Sequence, residues 1–211
     1  MSRFNISPIK VDSLSFLILD SPSDQTLPAY IPIFEQHNVT DLVRICEGSP
    51  YTIDPLTAIG IKVHDDMKFE DGTAPSKEIV ARWLELNDEV FFESPTSDRC
   101  IAVHCVSGIG RAPVMVAISM VENGMDALDA IAYIRKARHG ALNRVQITFL
   151  NGYRKRKKGF NYKQKQRQQQ DLLKAALGTN GLTEPSSTSA QETNDCDKKK
   201  KGFLARLFGK K

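Results

Sequence analysis

The sequence predicts an α/β fold, one domain with a central, largely parallel sheet flanked by helices, followed by a basic C-terminal tail. Three observations predict it. Short apolar runs alternate with helical periodicities, the pattern of parallel strands joined through helices. One run, Ile101-Ala102-Val103, empties into His104-Cys105-Val106-Ser107-Gly108-Ile109-Gly110-Arg111, and Pro113 then suits the start of a helix. A chain of 211 residues, 41% of them hydrophobic, has room for one core-bearing domain and a tail.

Leu14 to Leu19 reads as a buried strand. Gln25 to His37 reads as a helix, with Pro28 and Pro32 near its start. Asp41 to Cys46 alternates as a strand, and Ile59 to Val63 is another. From Ser76 to Phe92, the residues Ile79, Val80, Trp83, Leu84 and Leu86 fall at helical spacing. Cys100 to Val103 is the central strand. Helices follow over 113–123, 126–138 and 143–158, punctuated by Asn123-Gly124 and His139-Gly140. Ligands of such a sheet bind at the carboxyl edge of its strands, where the loop at Cys105 lies. From about Gly178 to Phe203 the chain is rich in Ser, Thr, Gln and Asn, which predicts a disordered linker. The expected divisions are a domain over 1–160, a linker over 161–197 and a basic tail over 198–211.

Composition excludes several classes. No run of 18 apolar residues occurs, so no transmembrane helix is expected, and Met1 to Lys10 lacks the form of a secretory signal. The four cysteines (Cys46, Cys100, Cys105, Cys196) show no C-x2-C spacing, which points to a reducing, cytoplasmic setting. The four histidines are scattered, so no metal site and no cofactor are expected, nor is a nucleic-acid partner. Charge is uneven. Residues 1–153 carry −7, 154–167 carry +8, 168–197 carry −4 and 198–211 carry +7. An acidic body with basic appendages suits an anionic membrane surface or an acidic partner.

The segment His104 to Arg111 carries the chemistry. Amides in a tight loop and at a helix N-terminus converge on an anion, and the helix dipole favours negative charge there. Val106, Ser107, Gly108, Ile109, Gly110 and Arg111 are therefore the candidate phosphate cradle. A thiolate of Cys105 at that spot is a nucleophile. Arg111 adds a planar fork for two oxygens. No Gly-Lys-Ser/Thr closes the loop, which excludes a Walker loop. A buried structural Cys beside a surface Arg is the bland alternative. His104 is expected to cap the strand end through backbone hydrogen bonds; the functional reading adds that such bonds orient the loop and support the thiolate, and neither reading makes it a general base.

His104 to Arg111 resembles the signature of cysteine-dependent protein tyrosine phosphatases. Arg111-Ala112-Pro113-Val114 narrows the resemblance to the phosphatase of regenerating liver (type 4A) family, over about residues 4–160. The resemblance implies a protein tyrosine or dual-specificity phosphatase working through a phosphocysteine on Cys105. Met67-Lys68-Phe69-Glu70-Asp71-Gly72 resembles the family's Trp-Pro-Phe-Asp-Asp-Gly, which makes Asp71 the general acid. Asp65 and Asp66 compete for that role. Met67 and Lys68 stand in place of Trp and Pro, which leaves loop rigidity and closure open. Gln146 resembles the glutamine that places the hydrolytic water, with an ordinary surface residue as the alternative. Val43-Arg44-Ile45-Cys46-Glu47 resembles the family segment whose Cys is the resolving partner, implying a reversible Cys46–Cys105 disulfide; a buried apolar thiol is the alternative. Cys100 lies roughly 16 Å from Cys105 along the strand, too far for a disulfide.

Ala112 stands where most of the superfamily has Ser or Thr, and the missing hydroxyl predicts slow turnover with a long-lived phosphocysteine. Uncharged Val106, Ser107 and Ile109 favour a phosphorylated protein over an inositol phosphate, with Arg44 and Tyr51 as candidate rim residues. The family also docks cyclin M type magnesium-transport regulators, so a phosphorylation- and redox-switched binding module is the second function. Arg138-His139-Gly140 departs from the family's Arg-Arg-Gly. Family members end in a prenylated Cys-a-a-X box; here Phe208-Gly209-Lys210-Lys211 ends the chain, and no prenylation is expected. Lys198 to Lys201 instead precede Phe203, Leu204, Leu207 and Phe208, which share one helical arc, with Arg206 off it. That predicts a short basic amphipathic anchor for peripheral membrane association, a nuclear-targeting or solvated tail being the alternative.

Overall fold

A five-stranded sheet organises residues 5–48, 51–93 and 98–156, the part of the chain that the computed structural model describes. In chain order its strands are β1 (Ile6–Val11), β2 (Leu14–Leu19), β3 (Val39–Arg44), β4 (Lys62–His64) and β5 (Cys100–His104). In space the order is β1-β2-β5-β3-β4, with β5 central as its apolar run predicts. Every pairing is parallel except β1 with β2.

All five residues of β5 are buried, because both faces of the sheet are covered. Side chains alternate between two cores. Phe16, Ile18, Val43, Ile101 and Val103 face one; Leu17, Leu19, Leu42, Cys100 and Ala102 face the other. The second core is closed by α1 (Leu27–Gln36) and α2 (Asp54–Ala58). The first is closed by α3 (Lys77–Phe91), α4 (Arg111–Glu122), α5 (Ala127–Ala137) and α6 (Arg144–Gly152). Every residue of α4 is buried, so this helix is the hub of that layer. Ser119 on α4 donates to Asn87 Oδ1 (2.8 Å) and accepts from Trp83 Nε1 (2.7 Å), satisfying polar groups of α3 inside the core.

Four differences from the sequence reading have local causes. Strand β1 was not predicted, since Pro8 obscures its alternation; as an edge strand it tolerates Pro, and Asp12 at φ 51 turns it into β2. Helix α2 was likewise not predicted. Strand β4 is shorter and later than Ile59–Val63, because Gly60 at φ +83 is still turning out of α2. Helix α6 stops at Gly152 instead of running to 158. Tyr153 is extended (ψ 130), its hydroxyl donates to buried Glu122 (2.7 Å), and Arg156 bonds the same carboxylate, so the chain peels away from the helix axis. The predicted linker (161–197), the basic tail (198–211) and Cys196 lie outside the described residues. Among the described residues no helix is long and apolar enough to cross a membrane.

Candidate active site

The loop after β5 is shaped by where its carbonyls go. Cys105 O accepts from His104 Nδ1 (3.0 Å) and Val106 O from the Ser21 amide (2.9 Å). Ser107 O accepts from Arg138 Nη2 (2.9 Å) and Ile109 O from the Leu142 amide (2.8 Å). In a planar trans peptide the following N–H points opposite to the C=O. Four tethered carbonyls therefore turn the amides of Val106, Ser107, Gly108 and Gly110 to the other side of the loop. Gly110 is the N-cap of α4, so the helix terminus joins the same cradle. Two backbone positions show how tightly the turn is drawn. Gly108 has φ +67, and a Cβ there would sit 2.3 Å from Leu19 O. Buried Leu142 holds φ 68, a left-handed conformation costly for Leu, with its own carbonyl accepting from Arg135 Nη2 (3.0 Å).

Cys105 lies at the head of this loop and is buried. Arg111, the first residue of α4, is buried too. Its Nη1 donates to Phe69 O (3.2 Å). Its Nε lies 3.1 Å from Asp71 Oδ1 but out of line for a hydrogen bond, so that buried donor has no hydrogen-bond partner. Asp71 is 78% exposed and is the carboxylate beside the cradle. The competing carboxylates are committed elsewhere. Asp65 is bidentate to Arg44, whose hydrogen bonds hold its carboxyl below the usual range. Burial opposes the charge on Asp66, but the Arg82 hydrogen bond (2.8 Å), a backbone hydrogen bond and the Arg82 charge together outweigh it and keep that carboxyl low as well.

The segment 65–73 is anchored along its length. Met67 is fully buried in the core, and Arg44 and Arg82 grip the two aspartates before it. Asn143 Nδ2 donates to Gly72 O (2.9 Å), and Gln146 Nε2 to Thr73 O (3.2 Å). Gln146 is buried, its Oε1 accepts from the Asn143 amide in a capping box, and a Cβ on Gly110 would come within 3.2 Å of its Nε2. It thus touches both the segment 65–73 and the loop after β5.

Beneath the loop, His104 Nδ1 faces a carbonyl and must donate, so Nε2 accepts from the Tyr51 hydroxyl (2.6 Å). Burial pushes the imidazole pKa down to about 4, and the ring is neutral. Arg44 stacks over the Tyr51 ring at 5.2 Å. Tyr51 is buried beneath the loop, so the structure places it under the cradle and not on the rim where the sequence reading put it. Cys46 follows β3, which runs parallel to β5 with Arg44 opposite His104, so both cysteines emerge at one sheet edge. Burial raises the Cys46 thiol pKa, opposed by Arg111 and reinforced by Cys105. Cys100, at the far end of β5, is buried and its pKa is pushed up to about 12. Among the described residues no cluster of His, Cys, Asp and Glu is placed to hold a metal ion. An open pocket of about 590 Å³ between α6 and the start of α3 includes none of these groups.

The structure thus brings together Cys105, the segment 106–111, Asp71, His104, Gln146 and Cys46. Sequence reasoning missed Arg138, Ser21 and the Leu142 amide as tethers. Two of the three tethers act through backbone atoms, and Arg138 acts across 31 residues, so no local pattern marks them.

No protein-family model matches the chain. It is 46% identical over 143 residues to the probable protein tyrosine phosphatase type IVA A of Dictyostelium discoideum, covering 68% of this chain and 84% of the relative. It is 43% identical over 157 residues to protein tyrosine phosphatase type IVA 3 of Homo sapiens, covering 73% and 88%. Among solved structures, one described as a protein tyrosine phosphatase from Leishmania major matches with a TM-score of 0.62 at 38% identity, covering 72% of this chain and 99% of that one.

A neutral buried histidine predicts a pH window. The unfolded imidazole binds its proton near 6.5 and the folded one near 4, so stability falls as pH drops through that interval. The expected loss is on the order of 2–3 kcal/mol at about 1.4 kcal/mol per unit. The stability from the carboxyls held low by Arg44 and Arg82 is present above their unfolded value of 3.8 and is lost mainly as pH falls below it. Urea unfolding between pH 7 and pH 4 should show the slope, and His104→Gln should flatten it. An unchanged slope in the variant counts against the assignment.

Proposed function

The chain belongs to the protein tyrosine phosphatase type IVA family, and from that premise we propose that Cys105, Arg111 and Asp71 hydrolyse phosphate monoesters on phosphorylated proteins. One observation carries the reading. A buried cysteine heads a loop whose amides are turned inward, beside a buried arginine Nε with no hydrogen-bond partner and a carboxylate 3.1 Å from it. The cradle and Arg111 take the three non-bridging phosphate oxygens. The Cys105 thiolate attacks phosphorus, a sulfur–phosphorus bond forms and the ester bond breaks. Asp71 gives its proton to the leaving oxygen. Water then attacks the phosphocysteine, Asp71 takes its proton, and the thiolate leaves. Gln146 holds that water once its bond to Thr73 O opens, a role supported by its contact with Gly110.

Ala112 is the residue after Arg111 and is fully buried. With no hydroxyl to assist the departing thiolate, phosphocysteine hydrolysis limits turnover. The long-lived intermediate supports a second output, a binding module for a magnesium-transport regulator, switched by the state of Cys105. Exposed Val106 (62%), Ile109 (42%) and Val145 (56%) near the loop would give such a partner an apolar contact. The same uncharged rim suits a protein substrate. The sequence divides as a catalytic domain over 1–160, a linker over 161–197 and a basic anchor over 198–211.

Four experiments test this. On a phosphotyrosine peptide, single-turnover loading should exceed the steady-state rate at least tenfold. Cys105→Ser should abolish both phases. Asp71→Ala should slow loading by about a hundredfold, the scale of general acid catalysis. Ala112→Ser should raise the steady-state rate; no rise would refute the slow step. If Cys105→Ser abolishes hydrolysis while partner binding persists, the binding module leads. Mild peroxide oxidises the Cys105 thiolate to a sulfenic acid, which the Cys46 thiol displaces as water to give a disulfide. Peptide mapping should find the Cys46–Cys105 link; a sulfinic acid on Cys105 with free Cys46 would count against it. Anionic liposomes should sediment the full chain and not one lacking 198–211, while equal sedimentation would remove the anchor.

A further inference from the structure

Arg138, at the C-terminal end of α5, is 2% exposed, and the Asp20 carboxylate acts on it only through space. Its hydrogen bonds all go to neutral oxygens. Nη1 donates to Asn5 O (2.7 Å), Ile18 O (3.3 Å) and the Ser7 hydroxyl (3.4 Å); Nη2 donates to Ser107 O (2.9 Å). Among the described residues no carboxylate comes within ion-pair range, and Nε has no hydrogen-bond partner. Burying a guanidinium this way is expensive, and a core built only for stability would place an apolar residue there. The charge lies against the nucleophile's loop. A Cβ on Gly108 would meet Arg138 Nη2 at 2.5 Å.

We propose that Arg138 is a positioning residue of the phosphatase reaction, with two effects. Its fork draws the Ser107 carbonyl outward, so that the Gly108 amide faces the phosphate. Its charge, held without an ion-pair contact, favours the Cys105 thiolate over the thiol. The proposal rests on the reading of Cys105 as nucleophile. The surroundings agree with it. Of the groups around the thiol, Arg111 is cationic but already beside Asp71, His104 is neutral and Cys46 holds its proton because burial raises its pKa. The Asp20 carboxylate accepts from Tyr30 (2.8 Å) and acts on Arg138 through space without reaching ion-pair range, and Arg44 is paired with Asp65. Arg138 is the buried cation near Cys105 with no carboxylate partner of its own. Tethering it to Asn5 and Ile18 also locks the loop to β2 and to the residue preceding β1.

The test is the pH profile of Cys105 alkylation by iodoacetamide, followed by mass spectrometry at that peptide, with orthovanadate as the phosphate probe. The parent Cys105 should alkylate readily at neutral pH. A parent that reacts only in alkali would sink the nucleophile reading itself, separately from this proposal. Arg138→Met should lower the alkylation rate at neutral pH about tenfold. Arg138→Gln serves where the Met variant does not fold. Arg138→Lys keeps the charge and loses the fork, so it should alkylate within about twofold of the parent and weaken vanadate binding roughly tenfold. A merely structural role would lower the melting temperature in all variants and move neither readout. A parent-like alkylation profile in the neutral variants overturns the charge effect, and parent-like vanadate affinity in Arg138→Lys overturns the positioning.

Discussion

The site depends on one constraint, the planarity of the peptide bond. An anion can be bound by backbone amides only if the carbonyls of the same peptides are satisfied elsewhere. Here the loop from Cys105 to Ile109 hands its carbonyls to His104, Ser21, Arg138 and Leu142, four donors from four parts of the chain. Each donor belongs to an element with its own reason for being there. His104 ends the central strand, Ser21 follows β2, Arg138 ends α5 and Leu142 leads into α6. The cradle is therefore a product of the whole α/β layer arrangement, and the two glycines within it are what let the chain turn that sharply.

The acid loop shows a different solution to the same need for order. Where an aromatic and a proline would stiffen the segment, this chain has Met67 in the core and Lys68 outside it. Order comes from ion pairs and backbone hydrogen bonds on either side. Asp65 and Asp66 are held by Arg44 and Arg82, and the carbonyls of Gly72 and Thr73 by Asn143 and Gln146. Arg44 also stacks on Tyr51, which supports His104, which holds Cys105 O. One continuous chain of polar contacts thus links the base of the acid loop to the nucleophile's own carbonyl. Such a chain is stiffer than solvent-exposed pairs would be, because Arg44, Tyr51 and His104 are buried.

What the sequence makes legible follows the range of the interactions. The central strand, the long helix of Ser76 to Phe92 and the cradle itself are local patterns, and the structure places them where those patterns point. Cys46 and Cys105 needed one long-range assumption, that their strands are parallel neighbours, and the register supplies it. Illegible were β1, disguised by an edge proline, and the early end of α6, set by Glu122 thirty-one residues before Tyr153. The roles of Asp65 and Asp71 differ only by partner. Nothing local says that one carboxylate is spoken for by Arg44 while the other is left beside Arg111.

Two arginines near Cys105 each keep a buried Nε without a hydrogen-bond partner, and the difference between them is instructive. An unmet buried donor costs about 1–3 kcal/mol. For Arg111 the unmet group lies beside Asp71 at the cradle, where a phosphate oxygen would satisfy it, so anion binding recovers that cost and couples occupancy to stability. For Arg138 the fork is spent on carbonyls behind the loop, so ligand binding leaves its Nε as it was. Its cost is carried in every state of the cycle. A permanent cost of that kind belongs with a permanent task, holding the Ser107–Gly108 peptide and the thiolate's field fixed while substrate, intermediate and water come and go.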